Sequence, residues 1–260
     1  MTELPRWLVA GLAGLLGLLL GSFLNVCIVR WGAEPKQSVV RPRSRCPRCG
    51  ASLKPWDNIP VLSWIMLGGK CRSCGMPIAV MYPLVELGTG IIWAGMAWYF
   101  GLTLHALSGA VLFTILLGIA LTDFRNYIIP DEFTLGGLGI GLLLALAAGL
   151  HPLVMALLGA AVGFGTLWVV GWLGTVVAKK EAMGGGDIKM MAMVGAFCGW
   201  SGVLLTIFLG AIIAVLVFIP ILLFRRDKLV PFGIFLALGA AVTWLAGTDI
   251  IGWYRGMVGI

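Results

Sequence analysis

Two aspartates and four cysteines are the residues of this chain whose types and spacing point to chemistry. Asp187 follows Gly184-Gly185-Gly186 and precedes a long apolar run. Asp123 closes another apolar run, just before Phe124-Arg125-Asn126-Tyr127-Ile128-Ile129-Pro130-Asp131-Glu132. The chain is 60% hydrophobic and only 11% charged, so an acid at the mouth of an apolar segment is uncommon in it. Ionisable groups at membrane depth are costly and are read first as functional. Two carboxyls at one depth on different helices suit acid–base hydrolysis of a peptide. Brought close, they cannot both ionise, and they share one proton. The ionised member takes a proton from water, which attacks the scissile carbonyl, while the protonated member donates to the developing oxyanion or leaving amine. Other nucleophile systems are thin, because His105 and His151 fall on outer turns away from the cysteines.

The four cysteines form Cys46-Pro47-Arg48-Cys49-Gly50 and Cys71-Arg72-Ser73-Cys74-Gly75. Two C-x-x-C knuckles at this separation read as a four-thiolate zinc site. The glycine after each pair lets the turn fold under the ion. Two disulfides would need an oxidising compartment, and the charge bias places this loop in the reducing cytoplasm. Four sulfurs leave no open coordination position, so the expected metal is structural.

The elements that must position these residues are membrane helices. Mean hydropathy is +1.03, and apolar runs near or above 18 residues recur, each able to cross a hydrocarbon core of about 30 Å. The predicted fold class is an all-α polytopic membrane protein. It has about eight transmembrane helices, with the cytoplasmic zinc loop between helices one and two. The expected crossings run over 7–29, 82–100, a third segment ending at Asp123, 133–150 and 153–178. From Ile188 to Phe224 a single helix would span about 50 Å, too long for one crossing. A break around Cys198-Gly199-Trp200-Ser201-Gly202 therefore divides it into a short segment and a full one, and an eighth begins near Pro231. The expected divisions are 1–30, a first crossing, 31–80, the zinc-knuckle loop, and 81–260, the peptidase core. The first segment is longer than the apolar stretch of a cleaved signal peptide.

The net charge of +7 raises nucleic acid as a partner, but its distribution argues against that. Arg41, Arg43, Arg45, Arg48, Lys54, Lys70 and Arg72 crowd one loop, and Arg225-Arg226-Asp227-Lys228 ends one run. Of 18 Lys and Arg, only Arg6 and Arg255 fall on the other side under this alternation. That is the positive-inside pattern, and it puts Asp123 and Asp187 at the cytoplasmic edge. Asn25 within an apolar helix is read as an interhelical hydrogen bond, with a substrate contact as the alternative. Glu86 could pair with an interfacial cation, accept a substrate charge or titrate. The chief rival function is a proton-coupled carrier using the same acids as relay groups. Carriers, however, favour midplane acids in broken helices and internal repeats. A non-enzymatic assembly factor would not need two matched acids.

Across nearly its whole length the chain resembles the bacterial prepilin peptidase family, the type IV leader peptidases. The residues that carry the likeness are Gly21-Ser22-Phe23-Leu24-Asn25-Val26, both cysteine knuckles, Asn58-Ile59-Pro60, Ser63-Trp64 and Gly69-Lys70. They continue through Tyr82-Pro83-Leu84-Val85-Glu86, Asp123 with Ile129-Pro130-Asp131, Gly184-x-Gly186-Asp187-x-Lys189 and Pro231-Phe232-Gly233. Ile234 stands where many relatives have proline, and Cys27 where an aliphatic residue is common. The resemblance implies a bifunctional aspartic protease of the bacterial inner membrane, with its active site facing the cytoplasm. It implies that basic leaders are cut from prepilins or pseudopilins after a glycine. The new N-terminal amine, usually of phenylalanine, is then methylated with S-adenosylmethionine as donor. The implied catalytic pair is Asp123 and Asp187. The sequence holds no Rossmann-type glycine fingerprint for the donor, and the basic zinc loop is expected to take part in that step.

Overall fold

A computed structural model describes residues 5–41, 44–224 and 231–259. Its helices are α1 (Arg6–Trp31), α2 (Leu62–Met66), α3 (Met81–Phe100), α4 (Leu104–Asn126), α5 (Asp131–Ala148), α6 (Leu150–Ala178), α7 (Gly185–Phe224) and α8 (Phe232–Val258). A 3-10 turn, Pro55–Asn58, precedes α2. The expected all-helical architecture is what is observed. The chain forms two compact units, Met1–Thr114 and Ile115–Ile260.

Among the described residues six helices are long and apolar enough to cross a membrane, α1, α4, α5, α6, α7 and α8. The sequence reading gave eight crossings, and the difference lies in two places. Glycines, tryptophans and Glu86 dilute the apolar character of α3, which falls outside this set. The sixth and seventh expected segments form one element, α7, broken at Gly199 (φ 70°, ψ 178°). The break falls inside the expected stretch and leaves a first half of α7 about 20 Å long at 1.5 Å per residue. Two smaller boundaries move. His151 and Pro152 lie in the first turn of α6, where proline is tolerated, and the reversal before them is made at Gly149 (φ 128°). Gly185, Gly186 and Asp187 are the opening turn of α7 rather than a loop. The expected basic end at Arg225-Arg226-Asp227-Lys228, and Arg43 of the basic loop, lie outside the described residues.

In the first unit α1 and α3 run antiparallel in close contact. Gly17 lies against Thr89, Gly90 and Trp93, and Gly21 against Glu86 and Thr89. Small residues let helix backbones approach in lipid, where burial of apolar surface gives no drive to associate. Asn25, 3% exposed, donates from Nδ2 to the Tyr82 carbonyl at 2.9 Å. The interhelical hydrogen bond expected of it is therefore present.

In the second unit the first half of α7 is the core: Met190, Met191, Met193 and Val194 are completely buried. A Cβ on Gly195 would overlap the carbonyl of Gly159 in α6, and one on Gly163 would overlap that of Met191. Gly195→Ala is expected to destabilise by about 1–3 kcal/mol, the usual cost of overpacking. In contrast, Gly165→Ala, at an α6 position with no neighbour within 4 Å, should be neutral or slightly stabilising. Thermal midpoints of the two variants in detergent check this.

Candidate active site and metal centre

Asp123 sits in the last turn of α4, 5% exposed. Just beyond it the chain reverses: the Tyr127 N–H bonds back to the Asp123 carbonyl, and Tyr127 takes the left-handed conformation (φ 54°). Pro130 then caps α5, its carbonyl accepting from the Phe133 and Thr134 N–H groups. Asp131 and Glu132 fill the first turn of α5, where negative charge complements the helix dipole. Asp187 lies in the first turn of α7, its N–H bonded to the Gly184 carbonyl at 3.2 Å.

A third element completes the surroundings. Backbone N–H groups of Ile234 and Gly233 are directed at the Asp123 carboxylate. They belong to the opening turn of α8, whose first N–H groups have no partner within the helix. A helix N-terminus is a natural seat for a carboxylate. Ile129 fills the space between α7 and α8. A Cβ on Gly186 would stand 2.8 Å from Ile129 Cβ, and one on Gly233 would stand 2.7 Å from Ile129 Cδ1 and 2.9 Å from Asp123 Oδ2. Gly186 and Gly233 thus serve close packing. Of the three glycines before Asp187, Gly185 alone has no neighbour within 4 Å of a built Cβ.

The two predicted acids are brought together. Gly186, next to Asp187, and Gly233, against Asp123 Oδ2, both pack on Ile129. Asp123 Oδ2 and Asp187 Oδ1 are both buried without a hydrogen-bond partner among the described residues. A buried polar atom left so costs about 1–3 kcal/mol; Asn25 Oδ1, Thr206 Oγ1 and Thr243 Oγ1 share that condition, and the two acids differ from them in being ionisable. Nearby, Lys189 Nζ contacts both carboxylate oxygens of Asp131 at 2.8 Å, tying the start of α5 to the first turn of α7. Sequence reasoning did not find the α8 amides as partners of Asp123. The signal was Pro231 followed by Gly233, a proline that opens a helix and a glycine that admits a close neighbour.

Glu86 pairs with no cation among the described residues. Its Oε2 accepts from the backbone N–H of Val61 at 2.7 Å. The cation partner expected of it is not found, and a backbone donor stands in its place.

The four cysteines converge in the first unit, with all four sulfurs within 4.8 Å of one another. The two knuckles repeat one design. The Cys46 N–H bonds to Ala51, and Gly50 closes back on Cys46; the Cys71 N–H bonds to Met76, and Gly75 closes back on Cys71. Gly50 (φ 71°) and Gly75 (φ 69°) both take the left-handed conformation that glycine adopts freely. A tetrahedral zinc with Zn–S near 2.3 Å separates its sulfurs by about 3.8 Å. Cys46 Sγ and Cys74 Sγ are 3.9 Å apart, and none of the cysteines is in a disulfide. The donor set therefore fits a four-thiolate zinc. Backbone N–H groups of Cys49 and then Arg48 hold the Cys46 thiol down to about 6, whereas, against the Met76 N–H, burial and the neighbouring cysteines push the Cys74 thiol up to about 11. The Arg72 guanidinium, bonded to Asp57 Oδ1 at 2.7 and 3.0 Å, ties the second knuckle to the Pro55–Asn58 turn and holds the Asp57 carboxyl below its usual range.

Comparison with known proteins agrees with this architecture. Residues 15–100 match the profile described as Bacterial Peptidase A24 N-terminal domain, and residues 110–219 that of the Type IV leader peptidase family. A Pseudomonas aeruginosa protein named prepilin leader peptidase/N-methyltransferase is 39% identical over 269 aligned positions, covering 94% of this chain and 93% of its own. Proteins of the same name from Xanthomonas campestris and Aeromonas hydrophila are 38% and 34% identical, covering 94% and 95% of this chain and 94% of each relative. No solved structure matches the chain. With near-complete coverage of several relatives above 30% identity, and with both halves matched in order, the chain belongs to the type IV leader peptidase family.

Proposed function

We propose that this protein is a multi-pass membrane aspartic endopeptidase. It removes the basic leader of prepilins or pseudopilins at the cytoplasmic face of the bacterial inner membrane, and then N-methylates the new N-terminus. The observation that carries the reading is the pair of buried, unpartnered carboxyl oxygens of Asp123 and Asp187 at helix ends. The names of the relatives supply the substrate class and the second activity.

In this reading Asp123 and Asp187 are the catalytic residues and share one proton. The ionised carboxylate draws a proton from water, whose oxygen attacks the scissile carbonyl. The protonated partner donates to the oxyanion and then to the departing amine, and no covalent intermediate forms. The α8 amides keep Asp123 oriented. Gly185 leaves room for an extended substrate backbone beside Asp187. In this reading α3 and both halves of α7 are also taken as crossings, which makes eight and gives both acids one membrane edge, where a polar leader meets an apolar helix. A relay carrier would want its acids near the midplane. In the division proposed here, 1–30 anchors the chain, 31–80 is the zinc loop and 81–260 the peptidase core. Cys46, Cys49, Cys71 and Cys74 would hold zinc, which supplies structural cross-linking when bound. The methyl donor is S-adenosylmethionine, and the partners are the substrate and the bilayer.

The test is a purified protein in detergent, a prepilin peptide and a labelled methyl donor. Leader cleavage followed by label at the new amine is the expected result, and a protein that cuts no prepilin peptide sinks the reading. Within the same assay, Lys189→Met and Asp131→Asn are each expected to lower cleavage about tenfold, through misplacement of Asp187. The double variant should be no worse than either single one, because the two residues act as a pair.

A further inference from the structure

From the segment between the 3-10 turn and α2 we infer a further membrane element: residues 59–66 re-enter the lipid leaflet on the side of the basic loop, with α2 as an interfacial helix. This inference is independent of the catalytic reading. The depth follows from a chain of contacts. Gly21 of α1 lies against Glu86 of α3, and Glu86 Oε2 holds the Val61 N–H at 2.7 Å. Gly21 lies nine residues inside Arg30, the basic end of α1, and at 1.5 Å per residue that is about 13 Å. A leaflet's hydrocarbon is about 15 Å deep. Even after the reach of the glutamate side chain, Val61 stands inside the apolar stretch of α1.

The local backbone suits that depth. Val61 takes φ 60°, ψ −49°, and the Leu62 N–H bonds to the Pro60 carbonyl. This is the strained γ-turn, unusual for a β-branched residue. In water its N–H would find a partner freely. In lipid it must be satisfied by protein, and Glu86 satisfies it.

The side chains show which way α2 faces. Leu62, Ile65 and Met66 lie at i, i+3 and i+4, on one face of a helix, and are 59%, 61% and 84% exposed. Trp64, on the other side, turns inward, with its ring against Gly69 and its Nε1 bonded to the Ile78 carbonyl. The apolar face therefore points away from the protein. Trp56 is exposed beside it with Lys54 Nζ over its ring at 5.5 Å. Lys54, Lys70 and Arg72 are exposed around the segment. Tryptophan and cations flanking an apolar face match the interface of an anionic bilayer. Val80 and Leu84 are likewise exposed where α3 begins.

The test places a photocrosslinking amino acid at position 65, 66 or 73 of the full chain in nanodiscs of phosphatidylethanolamine and phosphatidylglycerol. Adducts are read by mass spectrometry. Lipid adducts at 65 and 66, and their loss at 73 on the second knuckle, are expected. Adducts at 65 and 66 to a second copy of the chain or to added prepilin, no adducts there, or equal lipid adducts at 73 would each overturn the inference. As a second arm, Met66→Glu should lower the lipid adduct yield at position 65 while leaving zinc content unchanged. An unchanged yield counts against lipid as the occupant.

Discussion

Asp187→Asn and Asp123→Asn are each expected to abolish leader cleavage while leaving the protein inserted and folded. A positioned acid or base contributes about 10²–10⁴-fold to a rate, and one amide in the pair leaves a single carboxyl, which cannot serve as the base that activates water and as the acid that donates a proton in the same step. The effect on stability runs the other way. Asp123 Oδ2 and Asp187 Oδ1 are buried without a hydrogen-bond partner among the described residues, so these two oxygens are held at a cost. Asparagine has nearly the same shape and carries no charge. The variants should therefore match or exceed the parent in thermal midpoint, as expected where a site is kept for activity at the expense of stability. The measurement pairs cleavage of a prepilin peptide with thermal unfolding in the same detergent. Normal cleavage by either variant rules out the dyad. Inactivity accompanied by a large fall in midpoint would mean that the aspartates are structural.

The two acids were legible in the sequence because charge is scarce in an apolar chain, and scarcity is visible without coordinates. The break in α7 was legible from length alone: no single crossing accommodates Ile188 to Phe224, and the glycine-rich stretch at Gly199 was the place to divide it. Asn25 was legible for the same reason as the acids, since a lone amide among apolar residues must find a partner across a helix interface. What stayed hidden depends on neighbours distant in sequence. Nothing local says that Gly186 and Gly233 both lie against Ile129, so the glycines before Asp187 read as an open loop when they begin a helix. Glu86 read as half of an ion pair because a side-chain cation can be seen in a sequence, whereas the Val61 N–H is one of many identical backbone donors. The α8 amides escaped for that reason too. Composition reveals charges, and only folding reveals which backbone groups are left for them.

Cys46→Ser together with Cys74→Ser is expected to remove stoichiometric zinc and to unfold much of the 32–80 loop. The sulfurs span both knuckles: Cys46 and Cys74 come from different pairs and stand 3.9 Å apart, so their loss takes one ligand from each. Two remaining thiolates do not make a closed tetrahedral site. Structural zinc contributes about 10–16 kcal/mol to the folding of small zinc modules, and this loop has little else of that size. Its two short helical pieces bury no residue, and its hydrogen bonds are mostly local turns. The Arg72–Asp57 pair is half exposed on the arginine side, and such pairs give about 1 kcal/mol or less. The loop should therefore become sensitive to protease, while α1 and α3 remain packed through Gly17, Gly21 and the Asn25–Tyr82 bond. Cys27→Ser and Cys198→Ser supply the control, because both residues lie outside the cluster and should leave metal content unchanged. Metal analysis and limited proteolysis read the outcome. Full zinc in the double-serine protein would reject the four-thiolate site, and zinc lost from a loop that still resists protease would show that the metal is not what orders it.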